Sequence, residues 1–291
     1  FWSNFLHILK HRNIPTYSVS SIFREDQVFF KWYGRSYAGV LKCFTRFFVQ
    51  NEESKRLLDG IGITAVDVVG DTRFDRVLQI KEAAKQLPIC EAFRTGVASS
   101  QSADVPHHDF KVFVAGSSWP PDENIFIPFF NEHKDWRLLI APHVIAEEHL
   151  KLILSLITGK KVVRYTQTTP EEAAEADVLI IDCFGLLSSM YNYGDVAYIG
   201  GGFGVGIHNT LEAAVWNMPV IFGPNNKKFQ EAQGLLKSDG GFEINTNEDF
   251  SGLMSSLMND EAFLKQAGDK AGAFVAHLAG ATDKVLASVK L

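Results

Sequence analysis

Apolar and polar positions in the second part of the chain repeat in an order of short strands and helices. Short apolar runs, rich in β-branched and aromatic residues, are followed by stretches in which apolar residues recur with helical spacing. Such alternation predicts an α/β fold with a parallel, doubly wound, Rossmann-like sheet, because parallel strands need crossover connections. The predicted strands are 111–115, 137–141, 161–164, 178–181, 195–199 and 218–222, and the predicted helices are 122–133, 146–158, 185–192, 208–217, 227–237, 247–257 and 260–290.

The first 80 residues show a less regular version of the same order. The predicted elements are a helix around 5–9, strands 16–20, 47–49 and 66–69, and helices 22–45 and 52–59. From 82 to 108 the sequence is mixed, with the Pro, Gly and Ser residues of a linker. We expect four segments: residues 1–80 as the end of an amino-terminal domain, 81–110 as a linker, 111–275 as the doubly wound domain, and 276–291 as a carboxyl-terminal helix.

Composition and charge narrow the classes of function. Hydrophobic residues make up 46% and charged residues 21% of the 291-residue chain, which is ordinary for a globular protein. The formal net charge of −6 does not suit a nucleic-acid-binding protein, because phosphate backbones are bound mainly by clustered Lys and Arg. Cys43, Cys90 and Cys183 lack metal-ligand spacing, which favours free thiols in a reducing compartment. We expect a cytoplasmic protein that binds no nucleic acid.

Membrane contact is expected to be peripheral or upstream. No apolar run reaches the roughly 18 residues that a spanning helix needs. The aromatic and basic stretch 23–37 suits either a half-buried helix or a contact with membrane or acceptor lipid. The chain opens on Phe1 without a leader pattern, so we expect a missing amino-terminal portion.

A glycine-rich loop carries the most informative chemistry. Five glycines fall within seven residues at 200–206, directly after an apolar strand. Glycines let a ligand approach the backbone, and the amino terminus of a following helix attracts phosphate. The loop, with Gly201 and Gly202, therefore predicts a nucleotide or phosphate site at the carboxyl end of a strand. The alternative is a tight turn in which His208 and Asn209 cap the helix.

Glu212 is the candidate for binding a ribose. It follows His208 by four residues, so both side chains would share one face of the predicted helix. A carboxylate there could accept ribose hydroxyls, as in dinucleotide-binding folds, or could be a solvated helix charge. NAD is disfavoured, because the loop comes late in its domain and no lone acidic residue ends the next strand.

Further loops follow other predicted strands and should meet at the same edge of the sheet. Ser117 and Ser118 could donate to phosphate or carboxylate, or cap the next helix. His143 could bind a base or phosphate, or be structural. Loops 182–187 and 219–226 complete a predicted cleft.

These motifs, in their order and spacing, resemble the bacterial transferases of 3-deoxy-D-manno-octulosonic acid (Kdo), which are GT-B glycosyltransferases. The matching segments are 1–4, 14–15, 69–75, 116–118, 141–143, 201–212 and 223–225. The resemblance implies two Rossmann-like domains, the amino-terminal one largely missing. It also implies transfer of Kdo from CMP-Kdo to a lipid A precursor (lipid IVA) in lipopolysaccharide biosynthesis, at the cytoplasmic face of the inner membrane, with no cofactor and no metal.

The resemblance also assigns residues. Those implied in binding the CMP-sugar donor are Ser117, Ser118, Pro142, His143, Gly185, Gly201, Gly202, His208, Asn209 and Glu212. Arg73 would meet donor or acceptor charge, or form only a surface ion pair. The implied reaction is an inverting displacement in which a carboxylate, expected upstream of Phe1, deprotonates the acceptor hydroxyl.

Three positions depart from the family pattern. His143 stands where the family has Arg, Leu186 where it has Glu, and residues 207–210 where it has Gly-His-Asn-Pro. Two alternatives stay open. One is another GT-B enzyme that uses a UDP-sugar, either a transferase or an epimerase, and the other is a non-catalytic CMP-binding paralogue.

Overall fold

The computed structural model describes residues 2–97 and 109–289, apart from the side chains of Arg35 and Ser36. The helices and strands in chain order are α1 (Ser3–His11), β1 (Tyr17–Ser21), α2 (Arg35–Leu41), β2 (Arg46–Val49), α3 (Glu52–Asp59), β3 (Val66–Val68), α4 (Thr72–Glu82), α5 (Pro88–Thr95), β4 (Lys111–Ser118), α6 (Pro120–Glu132), β5 (Trp136–Pro142), α7 (Glu147–Leu156), β6 (Val162–Arg164), α8 (Pro170–Ala174), β7 (Val178–Ile180), α9 (Leu187–Met190), β8 (Val196–Ile199), α10 (Leu211–Ala214), β9 (Val220–Phe222), α11 (Gln230–Lys237), β10 (Gly241–Glu243), α12 (Asn247–Asn259), α13 (Glu261–Leu278) and α14 (Ala281–Ser288).

The chain forms two compact units. The first combines Phe1–Arg76 with His277–Leu291, and the second comprises Val77–Ala276. The division therefore falls a few residues before the expected end of the first segment at residue 80. Part of the expected linker, residues 98–108, lies outside the described residues.

The first unit contains a parallel sheet in the order β1–β2–β3. The central strand β2 is a continuous apolar run whose Phe47, Phe48 and Val49 are fully buried, as expected when both faces of a parallel strand are covered. Leu41 and Leu58, from the helices on either side of β2 in sequence, pack into the same core.

The second unit contains the predicted doubly wound sheet. Its seven parallel strands are ordered β10–β9–β8–β4–β5–β7–β6. Strand order reverses between β4 and β8, which makes this pair the switch point of the sheet, where ligands of such folds bind. Phe113 and Tyr198 on these two strands pack against Phe126, Phe130 and Phe250 from covering helices. Every strand predicted from sequence is confirmed, whereas β10 was not predicted.

The helix predicted over 22–45 is wrong. Two 3-10 turns, Val28–Phe30 and Trp32–Gly34, precede the short helix α2. The backbone folds back so tightly that a Cβ on Gly34 would overlap the Val28 carbonyl oxygen. Trp32 and Tyr33 are left exposed.

Helix α5 lies within the segment predicted as a linker. Pro88 occupies its first turn, and Gly96 ends it in the left-handed conformation, φ 69°. Arg137 of β5 donates to the carbonyl of Phe93 in α5 and, at 2.8 Å, to that of Ala174 in α8. Burial lowers the pKa of Arg137 to about 10. The guanidinium thus fixes α5 in the second unit.

The single helix predicted over 260–290 is two helices, α13 and α14. Gly280 lies between them in the left-handed conformation, φ 103°. Asp75 caps α14 by accepting hydrogen bonds from the Gly280 and Thr282 backbone amides and from the Thr282 hydroxyl. This carboxylate attaches the last helix to the first 76 residues. No helix of the described ranges, 2–97 and 109–289, has both the length and the apolar character to cross a bilayer.

We expect Asp75→Asn to lower the free energy of unfolding of the first unit by about 1–2 kcal/mol, because an amide turns an NH₂ group toward N–H donors. Burial alone would raise the pKa of Asp75, but the hydrogen bonds from Gly280 and Thr282 outweigh it and lower that pKa. A lowered pKa means that this stabilisation is present above the unfolded value, about 4, and is lost as the pH falls below it.

Urea denaturation between pH 3 and 7 tests this expectation. The exposed Asp283, also in the first turn of α14, provides the matched control Asp283→Asn. Equal destabilisation by both variants, or a difference between wild type and Asp75→Asn that grows in acid, would contradict the capping role.

Candidate functional site

The residues predicted to bind a donor lie at the carboxyl ends of β8, β4, β5 and β7, which are consecutive neighbours in the sheet. Ser117 and Ser118 end β4, Pro142 ends β5 with His143 after it, Gly185 follows β7, and Gly201, Gly202, His208, Asn209 and Glu212 lie between β8 and the end of α10. The structure thus brings the predicted loops to one edge of the sheet, and the cleft stays a prediction. Arg73 lies in the first unit, where its guanidinium pairs with Asp71 at 2.7 Å.

Close backbone packing explains the glycines of the loop after β8. A Cβ on Gly200 would lie 2.2 Å from the Ser117 carbonyl oxygen, and one on Gly202 would lie 2.5 Å from the Gly223 nitrogen. Gly201 has φ 91°, a conformation that L side chains rarely adopt. The loop is thus held against the ends of its neighbouring strands β4 and β9.

Many amides of this loop already donate within the protein. Those of Gly204 and Gly206 bond the Gly201 carbonyl, and that of His208 bonds the Gly200 carbonyl. The amide of Gly201 donates to Asp122. These four amides are therefore engaged within the protein, whereas the glycine pattern suggested amides directed at a ligand.

The helix predicted over 208–217 is wrong, since α10 is the single turn Leu211–Ala214. Its first amide, on Leu211, is bonded by the Asn209 side chain at 3.2 Å. His208 lies before the helix, so His208 and Glu212 do not share a helix face as expected. Asn209 accepts from the Leu211 amide, but the cap residue of α10 is Thr210, whose side chain makes no capping hydrogen bond, so the capping by His208 and Asn209 expected in the structural alternative is not seen.

Glu212 is fixed by two polar neighbours. Ser188 of α9 donates to one carboxylate oxygen at 2.6 Å, and the Asn209 amide donates to the other at 2.9 Å. The carboxylate is only half-buried. Since each oxygen has two lone pairs, both keep capacity to accept from a ligand hydroxyl.

Three aromatic rings come together beside the glycine loop. His143 stacks on Trp119 with centroids 4.6 Å apart and on His208 with centroids 4.4 Å apart. The Trp119 indole Nε1 donates to His208 Nε2 at 3.3 Å. Burial, and then the neighbouring His143, lower the pKa of His208, while Asp122 acts in the opposite direction.

Beneath these rings lies the fully buried carboxylate of Asp122. It accepts from the Trp119 amide at 2.9 Å, from the Gly201 amide at 2.9 Å and from the Tyr198 hydroxyl at 2.8 Å. Burial raises the pKa of Asp122, although these hydrogen bonds oppose the shift. One side chain of α6 thereby joins the end of β4, strand β8 and the glycine loop.

A second buried carboxylate, Glu123, orders the other side of the β4 loop. Ser118 donates to it at 2.8 Å, and His149 Nε2 lies 2.9 Å away. His149 Nδ1 faces the Val144 carbonyl at 2.8 Å, so this nitrogen carries a proton. Ser118 is buried and bonded to Glu123, so it supports the loop rather than facing a ligand as predicted.

Sequence reasoning did not assign Trp119, Asp122, Lys227 or Lys228 to the site. The two exposed lysines follow β9, whose loop also sends the Asn225 amide to the Gly204 carbonyl at 2.7 Å. The sequence does place both lysines after a predicted strand, and this position could have marked them as candidates for the same edge of the sheet. In the ranges 2–97 and 109–289, no three His, Cys, Asp or Glu side chains form a group that could hold a metal ion.

The family model of the 3-deoxy-D-manno-octulosonic-acid transferases (Kdotransferases) matches residues 1–76. A 3-deoxy-D-manno-octulosonic acid transferase of Rickettsia prowazekii is 26% identical over 234 residues, which are 78% of this chain and 47% of that protein. The enzyme of the same name from Aquifex aeolicus is 31% identical over 159 residues, 52% of this chain and 43% of its own length. The chain thus spans about half the length of these curated relatives.

Two solved structures share the fold. The C-terminal CMP-Kdo binding domain of WaaA from Acinetobacter baumannii has a TM-score of 0.50 and 16% identity, covering 69% of this chain and 97% of that domain. A putative UDP-N-acetylglucosamine 2-epimerase from Listeria monocytogenes has a TM-score of 0.63 and 10% identity, covering 98% of this chain and 72% of that protein. The fold is the predicted α/β fold of GT-B type.

We expect Asp122→Ala to lower the free energy of unfolding by at least about 3 kcal/mol, because three buried donors lose their acceptor. Asp122→Asn should cost only about 1 kcal/mol, since its amide oxygen can accept both N–H bonds while its NH₂ donates to the Tyr198 oxygen. Urea denaturation measures both values, and Tyr198→Phe serves as the control that removes one donor. Equal effects of the Ala and Asn variants would contradict the bonding role of this side chain.

Proposed function

We propose that this chain, a relative of the 3-deoxy-D-manno-octulosonic acid transferases, belongs to a glycosyltransferase that moves Kdo from CMP-Kdo to a lipid A precursor (lipid IVA) in lipopolysaccharide biosynthesis. The second unit would bind the donor, and the first unit would be part of the acceptor domain. The observation that carries the proposal is that motif residues similar to those of Kdo transferases meet at adjacent strand ends, across the switch point of the sheet.

Donor binding is proposed to divide between two groups of residues. Glu212, fixed by Ser188 and Asn209, would accept the ribose hydroxyls. His143 and His208 would face the phosphate or base, beside the loop that contains Gly201. Pro142, Gly202 and Ser117 would shape the backbone around the nucleotide, and Gly185, exposed and in the left-handed conformation with φ 83°, would approach it through its backbone.

The proposed reaction is an inverting displacement without metal or cofactor. The acceptor hydroxyl loses its proton to a carboxylate and bonds to the anomeric carbon of Kdo, while the bond from that carbon to the CMP phosphate breaks. CMP leaves with the electron pair, and the site favours departure by stabilising the phosphate charge. We place the general base outside residues 1–291, in a part of the acceptor domain that the longer relatives contain.

We further propose peripheral contact with the cytoplasmic face of the inner membrane. The first unit exposes Trp2, Phe5, Trp32 and Tyr33, aromatic side chains of the kind that favour a membrane interface. Arg73, whose guanidinium is about half exposed beside Asp71, would be available to acceptor or donor charge.

The chain should bind CMP more tightly than UMP, CDP or UDP in isothermal titration. Glu212→Ala should weaken CMP binding by about 10- to 100-fold, since it removes charge-assisted hydrogen bonds. The same variant should change the affinity for 2′,3′-dideoxy-CMP little, because that nucleotide lacks the hydroxyls concerned. Glu248→Ala, at an exposed carboxylate of α12, is the matched control.

The outcomes separate the candidate functions. Preference for UDP would favour a UDP-sugar transferase or epimerase. Preference for CMP without transfer of Kdo by the full-length protein would favour a CMP-binding paralogue. An equal loss of affinity for CMP and its dideoxy analogue in Glu212→Ala would remove the ribose contact from the proposal.

A further inference from the structure

The ring cluster of Trp119, His143 and His208 has a definite geometry. If Trp119 and His208 stacked on opposite faces of His143, the His143 ring would lie between them and they would be two stacking distances apart. That separation is too large for the 3.3 Å hydrogen bond between Trp119 Nε1 and His208 Nε2. Trp119 and His208 therefore lie on the same face of His143. His143 is exposed, so its second face is open to a ligand.

The hydrogen bond in this cluster fixes a protonation state. An indole N–H can only donate, so His208 Nε2 must offer a lone pair, and the proton of the neutral ring is on Nδ1. Protonation of Nε2 would break the bond to Trp119. It would then leave two N–H groups, one indole and one imidazolium, directed at the same small volume.

Both N–H groups could then bind one anionic oxygen after a small rotation of the rings. The cation would be partly desolvated, because His208 is half-buried against Gly201, where a Cβ would lie 3.4 Å from the His208 ring. An anion inside hydrogen-bond distance favours the charged form of an imidazole. Two charges on stacked rings at 4.4 Å repel each other, so the pair takes up one proton rather than two.

We propose that the His143–His208 pair takes up one proton when the phosphate of the nucleotide donor binds, so that donor affinity is linked to pH. This inference rests on the proposed function, since it names the regulation of the same site. The proton comes from solvent and is held at a ring nitrogen of the pair, and no bond of the donor is made or broken.

Several charged groups act on the pair. Asp122 of α6 favours the protonated form of His208, and the neighbouring His143 opposes it. Lys227 and Lys228, after β9, are exposed cations at the same edge of the sheet. A phosphate bound mainly by these lysines would show an affinity that hardly changes near neutral pH, which separates the two modes of binding.

The test is titration of the 291-residue chain with cytidine 5′-(methyl phosphate) between pH 5.5 and 8.5. This diester carries one negative charge throughout, whereas the second ionisation of a phosphate monoester, near about pH 6, would confuse the profile. Over the pH range in which the pair is neutral in the free protein and protonated in the complex, we expect the affinity for the diester to fall by about tenfold per pH unit. Heats measured in buffers of different ionisation enthalpy should show uptake of close to one proton per diester.

Four variants, one of them a control, test where the proton is held. His143→Gln with His208→Gln should flatten the profile, and Trp119→Phe should move it to higher pH, because it removes the N–H that keeps His208 Nε2 unprotonated. His133→Gln should leave it unchanged. His133 precedes β5 at the opposite edge of the sheet and stacks on Phe129. Its replacement therefore controls for the loss of a stacked histidine that lies away from the site. If the double variant fails to fold, His143→Gln alone, at an exposed position, should move the profile to higher pH, because it removes the ring that opposes protonation of His208.

A flat profile in the wild-type chain, with the diester bound, would overturn the proton linkage and leave the proposed donor function standing. A wild-type profile that persists in the double variant, or one that does not move in His143→Gln, would also overturn it. Failure of the diester to bind at any pH would overturn the donor function and this inference together.

Discussion

The geometry of the candidate site depends on one buried carboxylate. Asp122 receives hydrogen bonds from Trp119, Tyr198 and Gly201, three groups that come from different segments of the chain. Because the carboxylate is fully buried, each of these bonds is made in a low-dielectric interior, where an unpaired donor is costly. The bonds hold the Trp119 backbone, and the Trp119 indole in turn donates to His208. A ligand at this site would therefore encounter rings that are attached to a backbone held by the buried carboxylate.

The same arrangement changes how the glycine loop is understood. Glycine-rich turns before helices suggest a phosphate held by backbone amides, but here several loop amides are bonded to Gly200, Gly201 or Asp122. The glycines permit close packing of the loop on Ser117 and Gly223. Under the proposed function, specificity would then depend on the side chains around the loop, chiefly His143, His208 and Glu212. Loops with equal glycine content can thus differ in what they recognise.

Sequence patterns predicted the strands well and the site only in outline. Buried parallel strands are continuous apolar runs, as in β8, where all four residues are apolar and buried, so the strands could be predicted without long-range information. The extent of α10 was not readable, because the loop before it closes through Asp122, 79 residues away from Gly201. The pairing of Trp119 with His208 likewise joins residues 89 positions apart. Pro88 and Gly96 did mark the limits of α5, and the linker was predicted in spite of those local signals.

The capping of α14 by Asp75 has a consequence for synthesis of the protein. The two partners, Asp75 and Gly280, are separated by 205 positions. A ribosome adding about 5–20 residues per second would take roughly 10–40 s to bring the second partner out after the first. During that interval, strands β1 to β3 have left the ribosome but helix α14 has not yet been made. The strands of the doubly wound sheet emerge in the meantime. The first unit is thus completed only after the strands of the second unit have been made, and a nascent chain would expose the surface around Val69 and Phe48, which pack with Val285, to chaperones until Val285 has emerged.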